Sequence, residues 1–314
     1  MKKILALALA MIMTLGLASV AFATPVEPEV FVAEGQTIYY KNGSGKIVGL
    51  PEQTEVEPET EVYVPLSGDD CGDKTVVNKY KAFFDSKVGK MAEGPSIVFV
   101  KLSPQDEYYY CVTFKTPAVS TKAYDLAGDL KVAKTASAAK NLVEENYTKL
   151  NLEVAYGVDT VDTNSHNIVA PVLDFEIDDV VDLEDEEGDL FLYTVDVTGQ
   201  SDVNMKYSVK FDSAFAAKYD YANVDFLKFT KNPVFNRTGD LYIYADEDSY
   251  IYEVTEDGAK EIKNAEYDED YGAWHIRTRR LGSYAIADQE LKATEAASSS
   301  EAGNAGKPNP DTGR

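Results

Sequence analysis

The chain has 314 residues, with 30 Lys+Arg against 54 Asp+Glu for a formal net charge of −24, and 44% hydrophobic residues that include 21 Tyr and 13 Phe. That aromatic content excludes a disordered chain, which lacks the apolar surface to offset the entropy of ordering. The acidic balance opposes nucleic acid and anionic lipid as partners, because phosphate contacts need clustered Lys and Arg.

Residues 1–23 divide into three parts. Lys2 and Lys3 are a basic start, Ile4 to Val20 is an apolar run, and Ala21 and Ala23 place small residues at −3 and −1. This is the pattern of a signal peptide cut between Ala23 and Thr24. The apolar run approaches the roughly 20 residues that span a bilayer. The Ala-Phe-Ala site followed at once by Pro25, Glu27, Pro28 and Glu29 assigns it to a cleaved leader, so no membrane span is expected afterwards. Removal of the two lysines carries the net charge from −24 to −26.

Strand periodicity dominates the mature chain. Asn42-Gly43-Ser44-Gly45 lies between two β-rich runs and predicts a hairpin, since Asn and Gly tolerate positive φ. Ser96–Val100 and Tyr108–Phe114 are apolar on both faces and read as central strands. Thr135 to Asn146 predicts a few turns of helix. Leu150, Leu152, Val154 and Tyr156 then alternate with other residues, as do Leu173, Phe175 and Ile177 with acids. From Val203 to Asp212 apolar and polar residues alternate without an error across ten positions, which predicts one long half-buried strand. Asp212 to Tyr219 is a second short helix with Asp212 or Ser213 as its N-cap. Glu256-Asp257-Gly258 is a further hairpin turn.

The expected fold is mainly β: two antiparallel β-sandwich-like domains, at 26–134 and 140–291, with one or two short helices. The Ala- and Lys-rich stretch Lys134 to Lys140 is read as their junction. Residues 292–314 hold no aromatic or branched aliphatic residue, and their composition predicts a disordered tether.

Cys71 and Cys111 are the only cysteines. An oxidising compartment permits a disulfide between them, and two separate thiols are the alternative. Asp246-Glu247-Asp248, Asp268-Glu269-Asp270, Asp178-Asp179 and Asp182 to Asp189 gather carboxylates at turns. Calcium is one reading of such clusters, with Asp246/Asp248 and Asp268/Asp270 as ligands. Turn formation by Asp itself is the other, and no cluster follows the D-x-D-x-D-G pattern. His166 and His275 are the only histidines. His275 points away from the apolar side of its strand, toward solvent or a hydrogen-bond partner. No nucleophile elbow and no zinc spacing occurs, so no catalytic residue and no cofactor is assigned. Tyr108, Tyr109, Tyr110, Tyr242, Tyr244, Tyr250 and Tyr252 lie on expected strands. They suit either cross-strand packing or a surface for sugars and proteins.

Two resemblances bear on function. Asn309-Pro310-Asp311-Thr312-Gly313 resembles the N-P-x-T-G form of the sortase recognition motif of Gram-positive surface proteins. The resemblance implies cleavage between Thr312 and Gly313 and attachment to the wall. A sorting signal continues with an apolar span and basic residues, whereas only Arg314 follows here. The stretch from Arg237 to Asp288, ending Thr278-Arg279-Arg280-Leu281-Gly282-Ser283-Tyr284-Ala285-Ile286, resembles β-modules of exported proteins of anaerobic Gram-positive bacteria. It is read as a four-strand meander with Gly282 at a bulge or corner. The functional expectation is a non-enzymatic secreted or cell-wall surface protein, an adhesin or structural module. Its partner would be the wall or a host or extracellular macromolecule. The alternative is a calcium-assisted carbohydrate-binding module at the cell surface.

Overall fold

In the computed structural model the described residues are 28–50, 55–219 and 223–292. The expected leader with its Ala23–Thr24 cleavage position, and the sortase-like pentapeptide Asn309, Pro310, Asp311, Thr312 and Gly313, lie outside them. The described chain is mainly β, built of several largely antiparallel sheets and a few short helical turns. Among the described residues no helix is long and apolar enough to cross a membrane.

The first core lies between two sheets. One sheet runs, in spatial order, Ile47–Gly49, Tyr39–Lys41, Glu61–Pro65, Glu107–Lys115 and Glu93–Leu102. The other runs Glu55–Val56, Tyr147–Val154, Tyr124–Ala133 and Lys81–Val88. Side chains alternate across a strand. Val62, Val64, Val112 and Phe114 of the first sheet therefore meet Leu126, Leu130, Leu150 and Leu152 of the second. The other face of the first sheet is buried as well, with Tyr39, Tyr63, Leu102 and Cys111 clustered on it. It is buried because the sheet curls until its edges meet: Val48 bridges Ser103, whose N–H donates to the Ile47 carbonyl at 2.8 Å. Ser96–Val100 thus lies in an edge strand that rejoins the opposite edge, and Phe99 is left 55% exposed.

Tyr147–Val154 pairs with Tyr124–Ala133 along its length. Leu150, Leu152 and Val154, expected beyond the Lys134–Lys140 junction, therefore belong to the first core. The helical turn Ala136–Ala139, capped by Thr135, is an excursion between two paired strands.

The second core runs from Val161 to Tyr284. Its largest sheet orders Ser165–Asn167, Val180–Glu184, Phe191–Asp196, Val234–Tyr244, Ala273–Arg280 and Glu266–Asp268. A five-stranded sheet of Tyr207–Ser208, Val224–Phe229, Ser283–Ala287, Tyr250–Val254 and Ala259–Glu261 packs with it. So does a three-stranded sheet of Val158–Val161, Val172–Phe175 and Val203–Asn204. Phe191, Phe229, Tyr193 and Phe235 meet edge to face at its centre, with Phe191–Phe229 ring centroids 5.0 Å apart.

Two expectations change here. The strand foreseen over Val203–Asp212 is broken. Val203–Asn204 and Tyr207–Ser208 join different sheets, and Val209 and Phe211 are exposed. Asn204 is the cause: its side-chain oxygen takes the Lys206 amide at 2.9 Å, and its amide donates to the Ser120 carbonyl. A side chain that captures a nearby backbone amide ends the ladder there. The meander from Leu241 to Ile286 is likewise replaced by crossing pairs. Val234–Tyr244 pairs with Ala273–Arg280, and Tyr250–Val254 pairs with Ser283–Ala287 in the facing sheet. Gly282 is the corner where the chain passes between sheets. The short helix at Ser213–Ala216 forms as expected, with the Asp212 carboxylate accepting the Phe215 amide at 2.9 Å.

Lysines tie the two cores together. Lys206 and Lys231 from the second core reach Glu57 at 2.9 Å and Glu59 at 2.7 Å, and both stand over the ring of buried Tyr156. Glu59 holds a left-handed backbone, φ 58°, at this contact. The hydrogen bond and charge of Lys231 keep its carboxyl below the ordinary 4.5. A carboxylate with a lowered folded pKa adds stability above its unfolded pKa, and that contribution is lost as pH falls through the folded value. Glu59→Gln should therefore lower the urea midpoint at neutral pH, and the difference from wild type should close as pH falls below the ordinary glutamate range and through the lowered folded pKa.

Gly239 lies under the ring of Tyr193. A Cβ there would meet Thr194 O at 2.6 Å and the Tyr193 ring at 2.7 Å, whereas one on Gly282 would meet nothing within 4 Å. Gly239→Ala should cost about 1–3 kcal/mol in urea denaturation. Gly282→Ala should stay within about 0.5 kcal/mol of wild type.

Candidate functional site

The side of the six-stranded sheet turned away from the core carries an ordered set of polar and aromatic groups. Leu241, Ile243 and Ile276 point inward, so Asp240, Tyr242 and Tyr244 on one strand and His275 and Arg277 on its neighbour point outward. Register sets them in rows. One row reads Asp182, Thr194, Asp240, Arg277 across four strands. The next reads Glu184, Leu192, Tyr242, His275, Glu266 across five.

At the centre of the face three rings stack. Tyr242 lies between Tyr271, at 4.3 Å and 22°, and His275, at 4.9 Å and 23°. Offset stacking of this kind adds about 0.5–1.5 kcal/mol per pair beyond area burial. His275 is fixed at its other end by Asp240, with Nε2 2.8 Å from Oδ1. Asp182 in turn accepts the Thr194 hydroxyl at 2.6 Å. Burial first, then Tyr271 and the carboxylates Asp240, Asp268 and Asp182, push the Tyr242 phenol above its ordinary value. Tyr244 is raised by burial and by Glu184, Asp185, Tyr271 and Asp182. Both phenols therefore keep their protons and can donate hydrogen bonds at neutral pH. The face is part acidic and part aromatic, with its rings stacked and His275 and Thr194 held by carboxylates.

A second aromatic group stands on the first core. Phe99 stacks on Tyr108 at 5.3 Å and lies 4.6 Å from Tyr110. Tyr109 turns into the curled sheet, Tyr252 is buried with its hydroxyl accepting the Leu291 amide at 3.0 Å, and Tyr250 is exposed. The expected tyrosines are thus divided between packing and surface.

The acidic turns have local work. Asp185, 1% exposed, accepts four backbone amides, those of Glu187, Gly188, Leu190 and Phe191. Asp268 accepts the amides of Asp270 and Tyr271 and so closes its own turn. Asp246 offers its backbone carbonyl to the Trp274 indole at 3.1 Å. Among the described residues no three His, Cys, Asp or Glu side chains gather to hold a metal ion. His166 is nearly buried against Asp159. Its Nε2 is 3.1 Å from Oδ2 but off the direction of a hydrogen bond, and that oxygen accepts the Val169 amide instead.

Two of the concave regions of the surface lie at or near the first core. An apolar hollow of about 430 Å³ is walled by Val132, Ala133, Ala138, Leu142 and Val143, with the Glu29–Lys134 ion pair at its rim. A cleft of about 820 Å³ between the cores holds Lys41, Lys206 and Lys210. Lys41 and Lys206 are already paired with Glu61 and Glu57. The comparisons are silent: no family model, no curated protein and no solved structure matches this chain.

Sequence reasoning identified Tyr242, Tyr244 and the outward turn of His275. It missed Asp240 as the partner of His275 and Tyr271 as the third ring. The period-two spacing of His275, Arg277 and Arg279 was the available signal for a single polar face.

Cys71 and Cys111 are both free thiols, the second of the two alternatives the sequence left open. Cys111 faces the inside of the curled sheet, and Cys71 packs on the opposite side, against the core between the sheets. Burial pushes the Cys111 thiol up to about 12 and raises Cys71 as well. A thiol reagent should modify half-buried Cys71 slowly and reach Cys111 only after unfolding, because the thiolate is the reactive form. Failure to titrate any thiol in denaturant without reductant would overturn this.

Proposed function

We propose that this is an exported, non-enzymatic surface protein, adhesive or structural, that engages an extracellular macromolecule through the outward face of its six-stranded sheet. The observation that carries the reading is the Tyr271–Tyr242–His275 stack pinned by Asp240, set among polar groups on the outward sheet face. Aromatic anchors within a polar surround are what protein interfaces concentrate. The His275–Asp240 pair fits this role, since the ring is committed to Tyr242 on its face. The leader ending at Ala23 supports work beyond the membrane, at the wall or outside the cell of a Gram-positive bacterium. The Asn309–Gly313 pentapeptide supports attachment to that wall.

A second reading, a carbohydrate-binding module, draws on the exposed rings of Phe99, Tyr108 and Tyr271.

The test uses the mature chain and its Tyr242→Ala/Tyr271→Ala variant, each checked for an unchanged melting temperature. Both are applied to immobilised extracellular-matrix proteins, isolated cell walls and a glycan array, with calcium and with chelator. The first reading expects a bound surface whose signal falls about tenfold or more in the variant, as loss of interface hot spots gives. Equal binding by both chains would overturn the assignment of this face. Binding confined to glycans and abolished by chelator would favour the second reading.

A further inference from the structure

The chain has five arginines among its 30 basic residues. Four of them, Arg237, Arg277, Arg279 and Arg280, lie on two paired strands, Val234–Tyr244 and Ala273–Arg280. His275, Arg277 and Arg279 alternate on one strand and so share the outward face with the aromatic stack. Arg237 reaches the same face from the bulge between Val234 and Gly239, with its Nε 3.9 Å from Asp196 Oδ2. Arg277 Nε is 3.9 Å from Asp240 Oδ1. Both are loose ion pairs whose distances exceed a hydrogen bond, so the guanidinium donors stay open to a ligand. Their side chains are 59% and 70% exposed. Arg279 is exposed and has no carboxylate within 4.0 Å among the described residues.

We propose that Arg237, Arg277 and Arg279, beside the Tyr242–His275 stack, form a subsite for an acidic saccharide, one carrying carboxylate or sulfate groups on its rings. The proposal rests on the outward face being the binding face. Arginine presents a planar fork of donors that matches carboxylate and sulfate in two parallel hydrogen bonds, whereas lysine is a point charge. The stacked rings offer edges and phenol hydroxyls to a sugar one row away. Thr194 and the acceptors Asp182 and Asp240 can take its hydroxyl groups.

The same face limits the ligand's charge. Asp182, Glu184, Glu266 and Asp268 border the arginines within one or two rows, and the whole chain carries −24. A dense polyanion would meet that field along most of its length. A short saccharide with sparse acid groups meets it only at the arginine row.

The experiment titrates the mature chain with a uronate-bearing oligosaccharide and with its carboxyl-reduced counterpart, and with a sulfated oligosaccharide and its desulfated form. The chains compared are wild type, Arg277→Gln/Arg279→Gln and Tyr242→Ala, each with an unchanged melting temperature. Wild type should prefer at least one acidic form by about tenfold or more, the scale of one charge-assisted contact. The arginine variant should bind acidic and neutral forms alike, and added salt should erase the preference. Equal affinity of wild type for both members of both pairs would overturn the proposal. So would a preference that survives the arginine substitutions. Saccharide binding lost in Tyr242→Ala without any acid preference would sink this subsite and leave the face intact. Capture of a protein partner through the face, with no saccharide bound, would do the same. Binding that ignores every substitution on the face would sink both.

Discussion

Tyr193 lying over Gly239 holds two neighbouring strands in a single register. Its hydroxyl donates to the Thr278 carbonyl at 3.0 Å, so the same side chain reaches a third strand. Side chains in a sheet repeat every second residue, and a slip of one position would turn Tyr242 and Asp240 into the core and Leu241 and Ile243 out to water. The outward rows of acids, arginines and stacked rings exist because this register is locked. The first core uses the same device: Phe84 lies over Gly128, where a Cβ would meet the ring at 2.7 Å.

Charge shapes the molecule at two scales. Globally the excess of acids gives the chain a net charge of −24 and with it a negative long-range field. Locally the carboxylates are occupied: Asp185 gathers amides, Asp212 caps a helix, Asp240 orients His275, and Glu57 and Glu59 hold lysines between the cores. The arginines on the six-stranded sheet stand apart from this pattern because their nearest carboxylates stop at 3.9 Å.

The junction between the cores is polar and cation–π in character. Tyr156 is covered by two lysines, each paired with a glutamate from the other side. Such contacts are strengthened where water is thinned, and they are sensitive to acid because the glutamates must stay ionised. The outward sheet face proposed for binding is carried on the second core and shares none of these junction residues. Its geometry therefore depends on ring packing and register more than on ion pairs.

Local pattern alone determined the strand-rich architecture, the hairpins at Asn42–Gly45 and Glu256–Gly258, and the capped turns at Thr135 and Asp212. Each of these depends on neighbours in sequence, through alternation, positive φ or a side chain bonding its own backbone. Tertiary structure decided the partners. Period two in Leu150–Val154 said which side chains share a face, while the strand's place in the first core depended on Tyr124–Ala133 being free to pair. The alternation from Val203 to Asp212 was sound as a pattern and was overruled where the Asn204 side chain accepts the Lys206 amide and donates to the Ser120 carbonyl. The Asp240–His275 pair and the third ring, Tyr271, join residues far apart in the chain or across a turn. No local rule reaches them, because cross-strand neighbours are set by register, and register is set by what the core can pack.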